Sequence, residues 1–397
     1  MNIKKHFKKD FILHYVGYAY NDIYFLILPL LLPFLKNEFS LNYFQSGLIL
    51  TSHIAVRSIF SYISGHLGDK YDKRMIISFG FIFSSICMAG LVFANTYLTV
   101  VISLMIMAIG VAAFHPLATA LVGEEAESEH RALQIGIFET IGAAGIVLSS
   151  ITFGFFVESW GWRQTCMVLA IPGIPIAIAY LKMKKEEIDH HIEAEKKVDK
   201  YYIFTFLVGR GIRALGIGAI MSFLPTFATD HFGMSGSIAS WMMTLFFIGC
   251  IMGNLVGGWL ADRKTALLVM SGATLLTIPV MIGLTYFQIY FLAFVLVIIL
   301  GASHGGFFAP QNSWLTTVST QSTRGKIMGA GFLIDGVSVT VAPTLFGWIA
   351  DQIGLVGSFR WTLLPITIGL LFVIRLYYLE YQEELGFRDS SVEVASE

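Results

Sequence analysis

The stretch "GHLGDKYDKR", residues 65–74, returns in a shortened form as "GWLADRK", residues 258–264. Gly, Leu and Asp recur in the same order, each 193 positions later. Short Gly and Arg coincidences can arise in a Gly-rich chain, but one constant shift across separate segments predicts two duplicated halves. The same shift relates four further pairs of identical residues: Phe39 and Phe232, Arg131 and Arg324, Gly136 and Gly329, and Gly154 and Gly347.

The composition is typical of a membrane protein. Hydrophobic residues make up 55% of the 397 residues and charged residues only 13%, whereas soluble proteins carry about 25% charged residues. Apolar runs of roughly 20 residues can each cross the hydrocarbon core as a helix, and Gly and Pro are tolerated within them. We therefore predict an all-α membrane protein with twelve transmembrane helices, at residues 11–35, 44–66, 75–94, 97–121, 131–157, 163–181, 201–229, 237–261, 266–285, 287–318, 326–350 and 356–380.

One long charged segment follows the sixth apolar run. It divides the chain into an N-terminal six-helix half (1–181), a cytoplasmic linker (182–200) and a C-terminal six-helix half with a short tail (201–397). Most Lys and Arg residues outside the apolar runs fall on one predicted side of the membrane. Because basic residues are enriched on the cytoplasmic side, we predict a multi-pass protein of a bacterial inner membrane with both termini cytoplasmic.

The pattern G-x-L-x-D-[KR]-x-x-[KR]-[KR] in residues 65–74 resembles the signature of the major facilitator superfamily, and the similarity covers nearly the whole chain. Parallel six-helix repeats are a transporter architecture with the solute path between the halves. The resemblance implies that the signature and its shortened copy form a gating latch at the cytoplasmic surface. Asp72 departs from the Gly usual at its place, which predicts a different local turn. The gating candidates are Gly65, Asp69, Arg74, Gly258, Asp262 and Arg263.

A narrower resemblance is to fosmidomycin-resistance efflux transporters. This sequence differs from that family at two places. Tyr18 stands where the family has His, and Ser149-Ser150 stands where the family has Gly-Pro at the end of the fifth helix. The resemblance favours efflux by proton antiport, but the loss of Gly-Pro weakens that interpretation because the pair is associated with exchange. The residues that carry it are Asn21-Asp22, Pro29-Leu30-Leu31, Glu38-Phe39-Ser40-Leu41, Gln45, Gly47, Phe114-His115-Pro116, Ile137-Phe138, Gly142 and Gly145.

Charged residues within the predicted helices are the candidates for function. Each costs on the order of 3 kcal/mol to insert, so each must face protein, a cavity or a partner. Asp22 lies near the middle of the first helix, where a carboxylate removed from water binds a proton more readily. We predict that it carries a proton, or else forms a fixed helix contact with Asn21. Three acidic residues balance three arginines: Asp22, Glu139 and Asp335 against Arg57, Arg210 and Arg213.

Arg210 and Arg213 lie three residues apart on one face of the seventh helix. Two guanidinium groups on a cavity face could bind a carboxylate, phosphate or phosphonate through paired hydrogen bonds. The alternative is that one of them pairs with Asp335. Arg57 and Glu139 could likewise form a structural ion pair or act in transport. Asn21, Arg57 and Asp335 complete the predicted substrate contacts.

His115 precedes Pro116, whose ring frees a backbone carbonyl in the fourth helix. The imidazole could satisfy that carbonyl or carry a proton, so His115 and Glu139 join Asp22 as candidates for proton coupling. The histidines lack metal-ligand spacing and the three cysteines all lie in apolar runs. We therefore predict neither a metal site nor a cofactor.

No nucleophile elbow or phosphate loop is present in the sequence, so we predict that the protein is not an enzyme. The predicted function is secondary active transport of a small anionic solute by proton-coupled alternating access, with drug efflux as one form. Proton-linked uptake of an organic anion is the alternative. A transporter-like receptor is a remote one, because neither the linker nor the tail is long enough for an output domain. The predicted partners are the solute, protons and the lipid bilayer, with no nucleic acid, and the protein is predicted to be a monomer.

Overall fold

A computed structural model describes residues 9–68, 70–125, 131–183, 200–318 and 321–394. These residues form α-helices joined by short connections, with a 3₁₀ turn at Leu91–Phe93 and no strand among them. The helices are α1 Lys9–Glu38, α2 Tyr43–Gly68, α3 Lys73–Gly90, α4 Tyr97–Glu125, α5 Arg131–Ala170, α6 Gly173–Leu181, α7 Lys200–Phe232, α8 Gly236–Ala261, α9 Ala266–Tyr286, α10 Tyr290–Thr317, α11 Gln321–Trp361 and α12 Leu363–Val394.

The helices α5 and α11 each contain one residue in a left-handed conformation. Gly161 has φ 75° and ψ 164°, and Gly354 has φ 77° and ψ 161°. Glycine adopts such a conformation without steric strain. The two glycines are 193 positions apart, so the repeat extends to backbone geometry. Each lies where the sequence predicts the boundary between two transmembrane helices.

The predicted count of twelve membrane crossings is consistent with the structure. Among the described residues, nine helical segments are long and apolar enough to cross a membrane. Two of them, Ala144–Leu181 and Leu333–Gln382, contain the glycine turns and have 38 and 50 residues, enough for two crossings each. The 26-residue helix α2 is not among the nine, although its length is sufficient for one further crossing. An all-α, multi-pass membrane architecture is therefore confirmed.

The chain divides into two compact units. Unit 1 contains the described residues of Met1–His191, Met221–Phe247 and Pro343–Leu355. Unit 2 contains those of Ile192–Ile220, Ile248–Ala342 and Val356–Glu397. Unit 1 therefore contains the first six helices, the end of α7, the start of α8 and residues 343–355 of α11. The predicted halves, 1–181 and 201–397, describe the sequence repeat and stay a prediction, and most of the 182–200 linker lies outside the described residues.

Candidate functional site

The predicted proton carrier lies in unit 1. The residue Asp22 is 9% exposed and Asn21 is 5% exposed in α1. The Asp22 carboxylate attracts the guanidinium of Arg57, which α2 contributes. The ring of Phe25 lies against the same guanidinium, with its centroid 4.1 Å from Cζ of Arg57. A carboxylate and a guanidinium of opposite charge therefore attract each other between α1 and α2.

Tyr18, which replaces the histidine of the efflux family, lies in an aromatic cluster. Its ring centroid is 4.4 Å from that of Phe138 and 5.3 Å from that of His115. His115 itself is largely exposed. The carbonyl of Ala112, which Pro116 frees from helical bonding, lies 3.5 Å from the hydroxyl of Ser64. The hydroxyl of Ser64 is therefore a hydrogen-bond donor for this carbonyl. Through its ring contact with Tyr18, His115 packs against α1.

The predicted pair of Arg57 and Glu139 remains a prediction. Glu139 belongs to α5, but its side chain lies outside the described residues. The acidic residue that the structure brings to Arg57 is Asp22. In sequence, these two residues are one helix apart, so their proximity could not be inferred from spacing.

The predicted arginine pair lies in unit 2, where the two side chains have different environments. Arg210 is 5% exposed and holds Asp335 of α11. Its Nε donates hydrogen bonds to Oδ1 at 3.0 Å and Oδ2 at 2.9 Å, and its Nη2 donates to Oδ2 at 2.6 Å. The sequence predicts this pairing as the alternative role for one of the two arginines. It occupies the edge of the guanidinium formed by Nε and Nη2.

Arg213 is 4% exposed and has no such acceptor. Within the described part of the chain, neither its Nε nor its Nη2 has a hydrogen-bond partner. Its Cζ lies 3.9 Å from the ring centroid of Phe307 in α10. Asp335 attracts Arg213 electrostatically and Arg210 repels it. A buried cation therefore presents an unsatisfied edge, formed by the same two nitrogens that Arg210 uses to hold Asp335.

The aromatic support beneath Arg213 was not predicted. The ring of Phe307 stacks parallel to Phe206 of α7 at 6.5 Å, and Phe206 packs 4.6 Å from Trp314. The indole of Trp314 donates a hydrogen bond of 2.7 Å to Glu380. These residues come from three helices. A contact between a cation and a ring on distant helices leaves no spacing pattern in the sequence.

Residues 15–208 and 206–394 match the sequence model of the Major Facilitator Superfamily. The chain belongs to this superfamily. It is therefore a membrane transporter rather than an enzyme, as predicted.

Two relatives and one solved structure support this assignment. The cis,cis-muconate transport protein of Acinetobacter baylyi is 17% identical over 350 residues, which are 83% of this chain and 85% of the relative. The fosmidomycin resistance protein of Escherichia coli K12 is 22% identical over 297 residues, 72% of each chain. A bacterial homologue of the human lysosomal transporter Spinster, in an inward-facing and occupied conformation, aligns with a TM-score of 0.82 at 18% identity, covering 93% of this chain and 96% of its own. At this identity, the structural likeness shows the fold.

The superfamily signature contributes one buried ionic network. Asp69 lies outside the described residues, and Gly65 has open space beside it. Arg74 donates a hydrogen bond of 3.2 Å to Oε1 of Glu125 at the end of α4. The other oxygen of Glu125 is 3.1 Å from Nε2 of His14, whose Nδ1 is 2.9 Å from the hydroxyl of Tyr180. The predicted gating residue Arg74 therefore links α1, α3, α4 and α6 within unit 1.

Asp72 explains why the signature of this transporter departs from the usual Gly. It is the N-cap of α3, and its carboxylate accepts a hydrogen bond of 2.9 Å from the backbone N–H of Arg74. An acidic N-cap also interacts favourably with the helix dipole. The predicted difference in this turn is therefore a helix cap.

The shortened copy of the signature has a different environment. Asp262 and Arg263 are exposed, and the Cζ of Arg263 lies 3.7 Å from the ring centroid of Trp259. A Cβ at Gly258 would be 3.5 Å from Ala309, an ordinary contact. Among the described residues, this copy therefore lacks the buried network that surrounds Arg74.

Proposed function

We propose that this transporter carries a small organic anion and that protons drive its movement. The observation that carries the proposal is the open edge of Arg213. The Nε and Nη2 atoms lack acceptors in the described residues, and the side chain is almost fully buried. A buried cation without hydrogen-bond acceptors is costly, and a ligand that supplies them relieves that cost.

The chemistry of the edge favours a planar anion. Arg210 shows how the same edge of a guanidinium binds a carboxylate. Both oxygens of Asp335 are within 3.0 Å of its Nε. A solute carboxylate at Arg213 would form the equivalent paired bonds. Phe307 packs against the guanidinium, and this contact restricts the side chain before a solute binds. A neutral sugar would leave the charge uncompensated.

The relatives agree with an anionic solute. One of them is a transport protein for cis,cis-muconate, which is a dicarboxylate. Its name describes that protein, and we extend it to this chain only as a class of solute. The fosmidomycin resistance protein supports efflux, and the muconate transporter supports movement of an organic anion. Proton-linked uptake is therefore the second candidate function.

Proton coupling in the proposal depends on Asp22. In unit 1 its carboxylate attracts the guanidinium of Arg57. Protonation of Asp22 would release Arg57 from this attraction, so binding a proton changes the charge balance of the site. His115 and Glu139 stay candidates for passing the proton onward. In this proposal the protein acts as a monomer in a bacterial inner membrane with both termini cytoplasmic.

The test measures solute affinity in purified transporter. A panel containing cis,cis-muconate, benzoate and glucose is screened first in proteoliposomes with an imposed pH gradient, to find a transported solute and the direction. We expect Arg213→Gln to weaken binding of the transported anion roughly 10- to 100-fold, because one or two charge-assisted hydrogen bonds are lost. Arg213→Lys keeps the charge but not the paired geometry, so we expect an intermediate loss.

Arg360 provides a matched control. Its Cζ also lies 3.9 Å from an aromatic centroid, that of Tyr286, but its Nη2 donates to the carbonyl of Thr285. Arg360→Gln removes an arginine from the same unit without touching Arg213, and affinity should stay at the wild-type value. Wild-type affinity in Arg213→Gln, or transport of glucose in preference to the anions, would contradict the proposal.

A further inference from the structure

The first turn of α2 is bound by a residue that lies 308 positions further along the chain. We define the distal end of the helices as the end at which α1 stops and α2 starts. There the backbone N–H of Tyr43 donates to Oδ1 of Asp351 at 3.0 Å. The N–H of Phe44 donates to Oδ2 at 3.0 Å. Asp351 belongs to α11, and all three residues lie in unit 1.

The remaining N–H groups of this turn are satisfied locally. The N–H of Gln45 donates to the side chain of Asn42 at 2.8 Å, and the N–H of Asn42 donates to the side chain of Gln45 at 3.0 Å. This reciprocal pair is a capping box. The N–H of Ser46 donates to the carbonyl of Asn42 at 3.1 Å. A helix start leaves four N–H groups without helical partners, and here Asp351 supplies acceptors for two of them.

The two helices approach closely enough for this cap. A Cβ added to Gly47 of α2 would lie 2.7 Å from the carbonyl carbon of Pro343. A Cβ added to Gly347 of α11 would lie 2.7 Å from the carbonyl carbon of Tyr43. The hydroxyl of Thr344 also donates to Thr51 at 2.7 Å. The absence of side chains at both glycines therefore places Asp351 at the start of α2.

A second carboxylate, that of Asp230, binds residues beside the cap. The Nζ of Lys36, at the end of α1, is 2.9 Å from Oδ2 of Asp230 in α7. The hydroxyl of Tyr43 donates to the same carboxylate at 3.0 Å. The first residue of α2 is thus held by one aspartate through its N–H and by another through its phenol.

The repeat does not reproduce this cap. The shift of 193 positions relates Asp351 to Glu158 and Tyr43 to Gly236. Glu158 is exposed. A Cβ at Gly236 would lie 2.9 Å from Cε1 and Cε2 of Phe34, so an aromatic ring covers the start of α8. The N–H of Ile238 has Ser235 Oγ at 3.4 Å. The acidic cap therefore belongs to one side of the repeat only.

The geometry points to Asp351 as a latch that keeps the distal ends of α2 and α11 together and releases them when that end opens. This inference rests on transport by alternating access. Asp351 is exposed, so water can replace it at the two N–H groups and the latch is reversible. The capping box of Asn42 and Gln45 keeps α2 helical after release, so opening requires no unfolding.

The test measures opening directly, without solute, so its outcome is independent of the substrate class. Spin labels are attached to cysteines that replace Asn95, between α3 and α4, and Ile238, at the exposed start of α8. The full chain is used with Cys87, Cys166 and Cys250 replaced by Ser, in lipid nanodiscs, and distances are read by pulsed electron paramagnetic resonance. We expect Asp351→Asn to raise the ratio of open to closed molecules roughly threefold to tenfold.

Glu158→Gln is the matched control, because it removes the repeat-equivalent distal charge but no cap. Its distances should equal those of the wild type. An unchanged distribution in Asp351→Asn, or equal opening in Glu158→Gln, would overturn the latch.

A second pair of variants tests the donor side, and it decides the question if Asp351→Asn does not fold. Tyr43→Ala removes the phenol and keeps the N–H, whereas Tyr43→Pro removes both. Proline is well tolerated at the first position of a helix, where its missing N–H is not needed within the helix. We expect greater opening in Tyr43→Pro than in Tyr43→Ala. Equal distributions in the two variants would show that the N–H bond to Asp351 does not hold the gate.

Discussion

At the scale of single residues, the counter-charge of Asp22 comes from another helix and not from the apolar stretch around it. Burying a carboxylate in a membrane helix is costly unless a partner or a cavity receives it. Arg57 of α2 exerts that attraction, and Phe25 covers the guanidinium. The pair is nearly neutral as a whole, so its charge changes by one unit whenever Asp22 binds a proton. This property is what a coupling site requires.

We predict that Asp22→Asn abolishes proton-driven net transport while solute exchange or binding persists. The amide keeps the shape of the carboxylate but cannot load and release a proton. Initial rates in proteoliposomes with an imposed pH gradient should fall below about a tenth of the wild-type rate, and counterflow of labelled solute should remain measurable. Asp22→Glu retains a titratable group and serves as the control, with partial recovery expected. Gradient-driven transport of Asp22→Asn at the wild-type rate would contradict a proton-carrying role.

At the scale of helices, the sequence predicts the positions of the membrane spans more accurately than their ends. Each long apolar run is helical, because length and hydropathy decide membrane insertion. The runs 163–181 and 356–380 are each divided between two helices, α5 with α6 and α11 with α12. The ends depend on particular contacts. The first span was predicted to stop at residue 35, but α1 continues to Glu38, whose carboxylate accepts hydrogen bonds from Arg163 and Trp162. Such partners lie more than a hundred positions away and give no local signal.

Close packing between α8 and α10 depends on small residues. A Cβ added to Gly253 of α8 would lie 2.6 Å from the carbonyl carbon of Ala302 in α10. Backbone atoms cannot move aside independently, so the helices must separate. Small residues at such crossings are typical of membrane helices, where close approach rather than hydrophobicity stabilises association.

We therefore expect Gly253→Ala to lower the free energy of unfolding by about 1–3 kcal/mol, the usual effect of overpacking. Gly272→Ala in α9 is the control, since a Cβ there meets no atom within 4 Å. Thermal unfolding in detergent, followed by the fluorescence of a thiol dye at the buried Cys166, compares the two variants. Equal melting temperatures for Gly253→Ala and wild type would show that α8 and α10 can adjust at no cost.

At the scale of the whole molecule, the sequence identifies the charges but not their partners. The balance of three acidic residues and three arginines follows from composition along the spans, whereas pairing follows from tertiary structure. Arg210 and Arg213 are equivalent in sequence, one turn apart on one helix. Only the fold shows that Arg210 binds Asp335 and that Arg213 lies against Phe307. Arg210 is paired with Asp335, 125 positions away, and Arg213 is therefore the candidate contact for the anion.

Two aspartates of the transporter, Asp351 and Asp262, are candidates for latches. At the distal end, Asp351 accepts hydrogen bonds from α2. At the end of α8, Asp262 is exposed, and its backbone N–H donates to the carbonyl of Gly258. An alternating cycle needs each end to hold while the other is open. We infer that the two aspartates act in opposition.

If Asp262 and Asp351 act in opposition, the double variant should behave differently from either single variant. Asp262→Asn should weaken closure at the cytoplasmic latch predicted from the sequence signature and favour the conformation with the distal end closed, whereas Asp351→Asn should favour the reverse. Each variant should slow transport severalfold through a biased equilibrium, with affinity changed by less than about twofold, because neither residue is a predicted substrate contact. In the double variant the two biases cancel, so the transport rate should recover toward the wild-type value. Initial rates in proteoliposomes and solute affinity of the purified protein are measured for both single variants and the double variant. Rate losses that multiply in the double variant, or a large loss of affinity in Asp262→Asn, would show that Asp262 is not a latch.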